Sequence, residues 1–178
     1  MLCPVCKNRS LSIQEVDPCL SSSHCPDCGG RWIASYQYWK WRDVSGKSLP
    51  EKQPAKGSDT PVTDSTGAKL CPECGHFLRR FPVGHGIAFG LDRCGNCGGT
   101  WFDANEWESL KTRNLHDDVH KIFSEIWQRQ IRDEEHHTAM EVFYRKKFGD
   151  DGYRKAQEIK TWIESHPHPA ELRAFLGI

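Results

Sequence analysis

The stretch CGNCGGTW, Cys94 to Trp101, decides how this chain folds, and a second version of it, CPDCGGRW, runs from Cys25 to Trp32. In both, two cysteines flank two residues, two glycines follow, and a tryptophan closes the run. Working outward, each version is preceded by another Cys-x-x-Cys pair, Cys3 and Cys6 before the first, Cys71 and Cys74 before the second. The leading pairs are offset by 68 residues and the trailing pairs by 69, so one module occurs twice with a single-residue insertion in a loop.

Each module reads C-x2-C, then 18 or 19 residues, then C-x2-C, the spacing of a four-cysteine zinc site. A tight turn after each leading cysteine lets two thiolates converge on one ion while backbone amides donate to the sulfurs, and two such turns complete a tetrahedron. The expected ligands are Cys3, Cys6, Cys25 and Cys28 for one zinc ion, and Cys71, Cys74, Cys94 and Cys97 for a second. Iron also suits four thiolates, but the ribbon spacing favours zinc. Four sulfurs leave no open position for water or substrate, which predicts structural and not catalytic sites. A module of some 45 residues cannot normally bury enough apolar surface to fold alone, and structural zinc supplies about 10 to 16 kcal/mol of apparent binding free energy.

Between the turns, His76 to Val83 and Gly86 to Arg93 read as the two arms of a hairpin, and Leu11 to Val16 as a less regular strand in the first copy. The fold class expected is a small metal-stabilised α+β protein: two four-cysteine zinc ribbons, each a short β-hairpin followed by a short helix, joined by a flexible linker, then an α-helical C-terminal region. The motif CPxC, followed by CxxCGGxW and then by acidic residues, resembles the bacterial zinc-ribbon family named after the transcription factor TFIIB. Cys71, Pro72, Cys74, Cys94, Cys97, Gly98, Gly99, Trp101, Phe102, Asp103 and Glu106 carry the resemblance in the second copy. The first keeps its cysteines, Pro4, Gly29, Gly30 and Trp32 but has Ala34 and Gln37 where the family prefers acids.

Asp103 three residues before Glu106 predicts a reciprocally capped helix to about Thr112, and Ser35 takes the capping place before a helix over Tyr36 to Arg42. Tyr36, Tyr38, Trp39 and Trp41 crowd that helix; packing is favoured for them, with some aromatic surface left over for binding. Residues 45–69 hold no aromatic side chain and read as a flexible linker that leaves the ribbons independently mobile. The domains expected are thus 1–44, ribbon one; 45–69, linker; 70–113, ribbon two; and 114–178, a helical region outside the family motif.

In that last region Asp117 and Asp118 can cap a helix bearing Val119, Ile122, Phe123 and Ile126 on one face, continuing through Lys147 with a candidate break at Arg132 to Thr138. Gly149 to Asp151 is a stop and restart signal, and Pro169 can open a last helix, so the tail reads as a helical hairpin with a docked end. Glu134, His137 and Glu141 share a face at spacings that suit a helical metal site. The partner helix offers only Glu158 and Glu164, so a solvated face is the stronger reading. Cys19 is the odd thiol, read first as a packed side chain and second as a redox-sensitive one. His24, His76 and His85 lie near the ligands but are not needed as ligands.

Of 178 residues, 24 are Lys or Arg, 24 are Asp or Glu, and 37% are hydrophobic, which argues against one large core. A mean hydropathy of -0.68 together with the absence of any apolar run longer than a few residues excludes a spanning helix. Paired cysteines with no leader-like start point to a reducing, cytoplasmic setting. With two zinc ions on eight thiolates the chain carries about minus four charges, which disfavours general attraction to nucleic acid. No phosphate loop, nucleophile elbow or HExxH motif is present, so the expectation is a non-enzyme. It would act as a protein-interaction adaptor, assembly factor or regulator, with a protein partner or self-association through the tail and no membrane. A nucleic-acid-binding, transcription-related role is the alternative, and a redox- or metal-responsive switch the third reading.

Overall fold

The hairpin signals become strands. The computed structural model describes residues 1–45 and 61–177. In it β1 (Ser12–Asp17) and β2 (Leu20–His24) form an antiparallel hairpin, as do β4 (Leu78–Gly84) and β5 (Ile87–Cys94). Each hairpin adds a three-residue strand that starts within the glycine-tryptophan motif, β3 (Arg31–Ile33) or β6 (Thr100–Phe102).

β3 and β6 then pair with each other, Trp32 opposite Trp101, giving one six-stranded antiparallel sheet in the order β1-β2-β3-β6-β5-β4. This corrects the expectation of independently mobile ribbons, because the hydrogen bonds of the central pair join them. The pairing is symmetric about the two tryptophans, so the modules are related by a local two-fold. The second glycine of each motif makes room for the tryptophan of the other. A Cβ on Gly30 would meet Trp101 Cζ2 at 2.3 Å, and one on Gly99 would meet Trp32 Cζ2 at 2.2 Å. The Gly-Gly-x-Trp spacing is therefore the contact surface of the duplicated fold as well as a feature of each metal turn.

The helices α1 (Ser35–Val44), α2 (Glu106–Thr112) and α3 (Val119–Ile122) contribute to an apolar core together with the sheet. Tyr38 and Trp41 from α1 are buried there beside Trp107, Leu110, Phe102, Leu91 and Ile122, while Tyr36 and Trp39 stay exposed. The aromatic crowding on α1 is thus split between packing and surface. α1 begins at Ser35 with Ala34 as its cap residue, and Gln37 Oε1 accepts from the Ala34 amide at 3.2 Å, so Ser35 is not the cap.

Two compact units result, Met1–Ile131 and Arg132–Ile178. The boundary expected at residue 114 falls inside the first. Val119 and Ile122 sit in its core, Trp127 Nε1 donates to the Val83 carbonyl at 2.9 Å, and Gln128 Nε2 to that of Pro82 at 2.9 Å. The helix expected from residue 119 is also divided. α3 ends after one turn, and α4 (Glu125–Ser165) starts behind Ser124, whose hydroxyl accepts from the Trp127 amide at 3.2 Å.

In the second unit α4 continues through Arg132 to Thr138 without a break and is interrupted at Gly149, at φ 72° and ψ 165°. Gly149 reaches that conformation without the Cβ clash any other residue would carry. α5 (Pro169–Leu176) follows the two histidine-proline steps, but it buries none of its side chains, so the docked end is not observed. Of the segment read as a linker, residues 46–60 lie outside the described residues. Residues 61–69 are fastened to ribbon two. The Thr63 amide donates to the Ala104 carbonyl at 3.2 Å, Asn105 Nδ2 to that of Pro61 at 2.9 Å, and Lys69 is 3% exposed.

Candidate metal centres

Each metal turn is built the same way. The residue after the second cysteine sends its amide back to the carbonyl of the first: Lys7 to Cys3 at 2.8 Å, Gly29 to Cys25 at 3.0 Å, Gly75 to Cys71 at 2.9 Å, Gly98 to Cys94 at 3.0 Å. All four residues have positive φ, between 63° and 75°, a geometry that favours glycine and that Lys7 adopts at a cost. Inside the turns the Cys6 amide points at Cys3 Sγ at 3.3 Å, and the Cys74 amide at Cys71 Sγ at 3.4 Å.

The turns bring Cys3, Cys6, Cys25 and Cys28 together in one cluster and Cys71, Cys74, Cys94 and Cys97 in another, each with its sulfurs within 4.8 Å of one another. The closest sulfur pairs are 3.7 and 3.9 Å apart in ribbon one and 3.5 Å in ribbon two. A tetrahedron with metal-sulfur bonds of about 2.3 Å has edges of about 3.8 Å, so each cluster fits one zinc ion held by its four predicted cysteines. All nine cysteines are free thiols.

The electrostatics agree with that role. The His76 amide pulls the Cys74 thiol down to about 6, whereas burial pushes Cys71 up to about 11. Collecting four half-buried thiolates therefore needs a dication, and loading each site releases protons. Bound there, zinc would supply cross-links and charge compensation. Both clusters and both motif tryptophans form a single packed group. Trp32 Nε1 donates to Glu73 Oε2 of the other module at 3.3 Å, because Ala34 stands where an acceptor would be. Trp101 Nε1 donates to Asp103 of its own module at 2.7 Å.

Asp103 and Glu106 do more than cap a helix. The Glu106 carboxylate accepts from the Asp103 amide at 2.8 Å, which is half of the expected capping box. The Asp103 side chain instead accepts from the Ser65 amide at 2.7 Å and from Trp101, and lies 3.6 Å from Lys69 Nζ. Lys69 also reaches Asp92 at 2.6 Å, and Arg80 pairs with Asp64. Asp64, Asp103 and Glu106 make up the third group of metal-capable side chains among the described residues. Lys69 and Arg80 already sit against it, so it reads as a polar core that fastens residues 61–69. Spacing gave no sign of this network; a lone lysine at the edge of a polar segment was its only trace.

Glu134 and His137 are exposed and Glu141 pairs with Arg145 at 2.9 Å, so these three are not gathered with a partner set. Cys19 is exposed at the β1–β2 turn, which reverses the preference for a packed side chain. His76 Nδ1 lies 3.2 Å from the Cys74 carbonyl oxygen, and His85 meets Trp127 edge to face.

Fold and site together give an α+β protein whose antiparallel sheet carries two four-cysteine clusters of zinc-binding chemistry. Residues 70–113 match the family model described as transcription factor zinc-finger. The four cysteines of residues 3–28 support a second ribbon through their geometry alone. Comparison with curated proteins and with solved structures returned no match. Among the described residues, no helix is long and apolar enough to cross a membrane.

Proposed function

We propose that the chain is a non-enzymatic, cytoplasmic zinc-binding adaptor, assembly factor or regulator, with two zinc ions folding its ribbons into a rigid mount. Full coordination by sulfur supports the non-enzymatic reading. The observation that carries the interaction role is the apolar surface of the C-terminal unit: Phe143 is 54% exposed, Ile159 55%, Trp162 54% and Phe175 87%. Aromatic side chains left in water at this density provide the anchors that helix-in-groove binding or self-association uses.

The test is sedimentation of the zinc-loaded chain, alone and with partners captured from its native cell, for the wild type and for Phe143→Ser with Trp162→Ser. A defined oligomer or a stoichiometric protein complex that the double variant loses is the expected result. Tight, steeply salt-dependent nucleic-acid binding with no protein partner would replace this reading with the transcription-related one. Cys19 supports a third, redox-responsive role, and retention of both ions under mild peroxide would count against it.

A further inference from the structure

On ribbon two, Arg79 and Arg93 are direct cross-strand partners. Like charges placed opposite each other destabilise a sheet. Even so, among the described residues neither guanidinium has an ion-pair partner. Each rests instead on an aromatic ring, Arg79 4.9 Å from the centroid of Phe81 and Arg93 4.8 Å from that of Phe123, and those two rings meet edge to face at 5.2 Å.

Arg93 and Phe123 also line a small, partly open cleft. Its other walls come from Ile33, Val119, Trp39 and His120, and none of its lining residues is acidic. Arg42 lies over the Trp39 ring at 5.4 Å, extending the run of cations stacked on aromatics. Two acids stand near the far end. Asp118 is engaged by Lys121 at 2.7 Å, and Asp117 offers its backbone carbonyl to Tyr38 and Arg42.

We infer that this face is a docking site for an acidic peptide segment, whose carboxylates pair with Arg79 and Arg93 while a small apolar side chain enters the cleft. Charge complementarity identifies the occupant: two guanidinia that the fold holds side by side and leaves uncompensated are relieved by carboxylates from outside. The cleft beside Arg93 is walled by Ile33, Val119 and Phe123, which suits an apolar peptide side chain set between the carboxylates. This inference rests on the adaptor reading and adds the chemistry of one partner to it.

The test uses a fluorescein-labelled peptide alternating Glu and Val, and in parallel a labelled single-stranded oligothymidine, titrated with full-length zinc-loaded protein. Arg79→Glu is the informative variant. It places a carboxylate opposite Arg93, so the fold keeps or gains thermal stability while the binding surface is neutralised. Arg154→Glu, on the exposed surface of the second unit, is the control. The expected result is saturable, salt-weakened peptide binding that Arg79→Glu reduces about tenfold or more, the scale of one lost charge-assisted hydrogen bond, with Arg154→Glu unchanged. Absence of peptide binding, equal binding by Arg79→Glu, or Arg79-dependent binding of the oligonucleotide alone would each overturn it. Recovery of a native protein partner that Arg79→Glu leaves undiminished would also remove this face from the adaptor while leaving the adaptor reading standing.

Discussion

Gly30 and Gly99 show how much a single missing Cβ can decide. Each lies flat against the indole of the other module, and a methyl group there would overlap the ring. Gly30→Ala and Gly99→Ala should each destabilise the protein by about 1 to 3 kcal/mol, the range for overpacking a closed site, and to a similar extent because the contacts are reciprocal. Denaturation midpoints of the two variants check this, and unequal losses would contradict the symmetry.

Lys7 makes the opposite prediction. It holds the positive φ that glycine holds in the other three turns, so Lys7→Gly should raise stability by up to about 1 kcal/mol. An unchanged midpoint would show that glycine's added freedom in the unfolded chain offsets the relief.

Glu106 gives a pH dependence at the same scale. Burial pushes its carboxyl up to about 9 from an ordinary value of 4.5. The folded state then holds a proton that the unfolded chain has released. Its contribution is complete below the unfolded value and is lost as pH rises toward the folded one. Between pH 6 and 9, where the thiolate sites stay loaded, wild type should lose stability relative to Glu106→Gln. Parallel curves for the two proteins would sink this assignment.

Between elements, the decisive contact is β3 with β6. Trp32 and Trp101 belong to one packed group with both cysteine clusters, and Trp32 donates to Glu73 inside the leading turn of the second site. Cys71→Ser should therefore weaken metal retention at the intact first site by at least several-fold, measured by competition with a chromogenic chelator. An unaltered first-site affinity would mean that the ribbons are energetically separate. Such coupling was invisible in the spacing of the cysteines. The self-alignment found two modules, but the modules read as beads because residues 45–69 look like a spacer. Once folded, Lys69, Asp92 and Asp103 pull the end of that spacer into the second ribbon.

Across the whole molecule, the residues that follow the second ribbon divide at Ile131, well after the end of the family motif. A chain truncated after residue 131 should keep both ions and unfold in one transition. One truncated after residue 113 should lose several kcal/mol, because Val119 and Ile122 leave the core. Similar melting of the two truncated chains would place the true boundary earlier. The second unit leaves Phe143, Trp162 and Phe175 in water, which is where the proposed association belongs.

What the amino acids alone determined were the eight cysteines, their grouping by four, the hairpin arms and the short helix after each trailing metal turn. These follow from local spacing: a metal turn, a glycine or a helical period is written in neighbouring residues. Only the tertiary structure decided that two modules share one sheet, that Asp103 serves a distant serine and lysine instead of only its own helix, and that Cys19 faces solvent. Those outcomes depend on which surfaces meet once the chain has closed. Pairing between residues as far apart in sequence as Trp32 and Trp101 leaves no periodic trace to read.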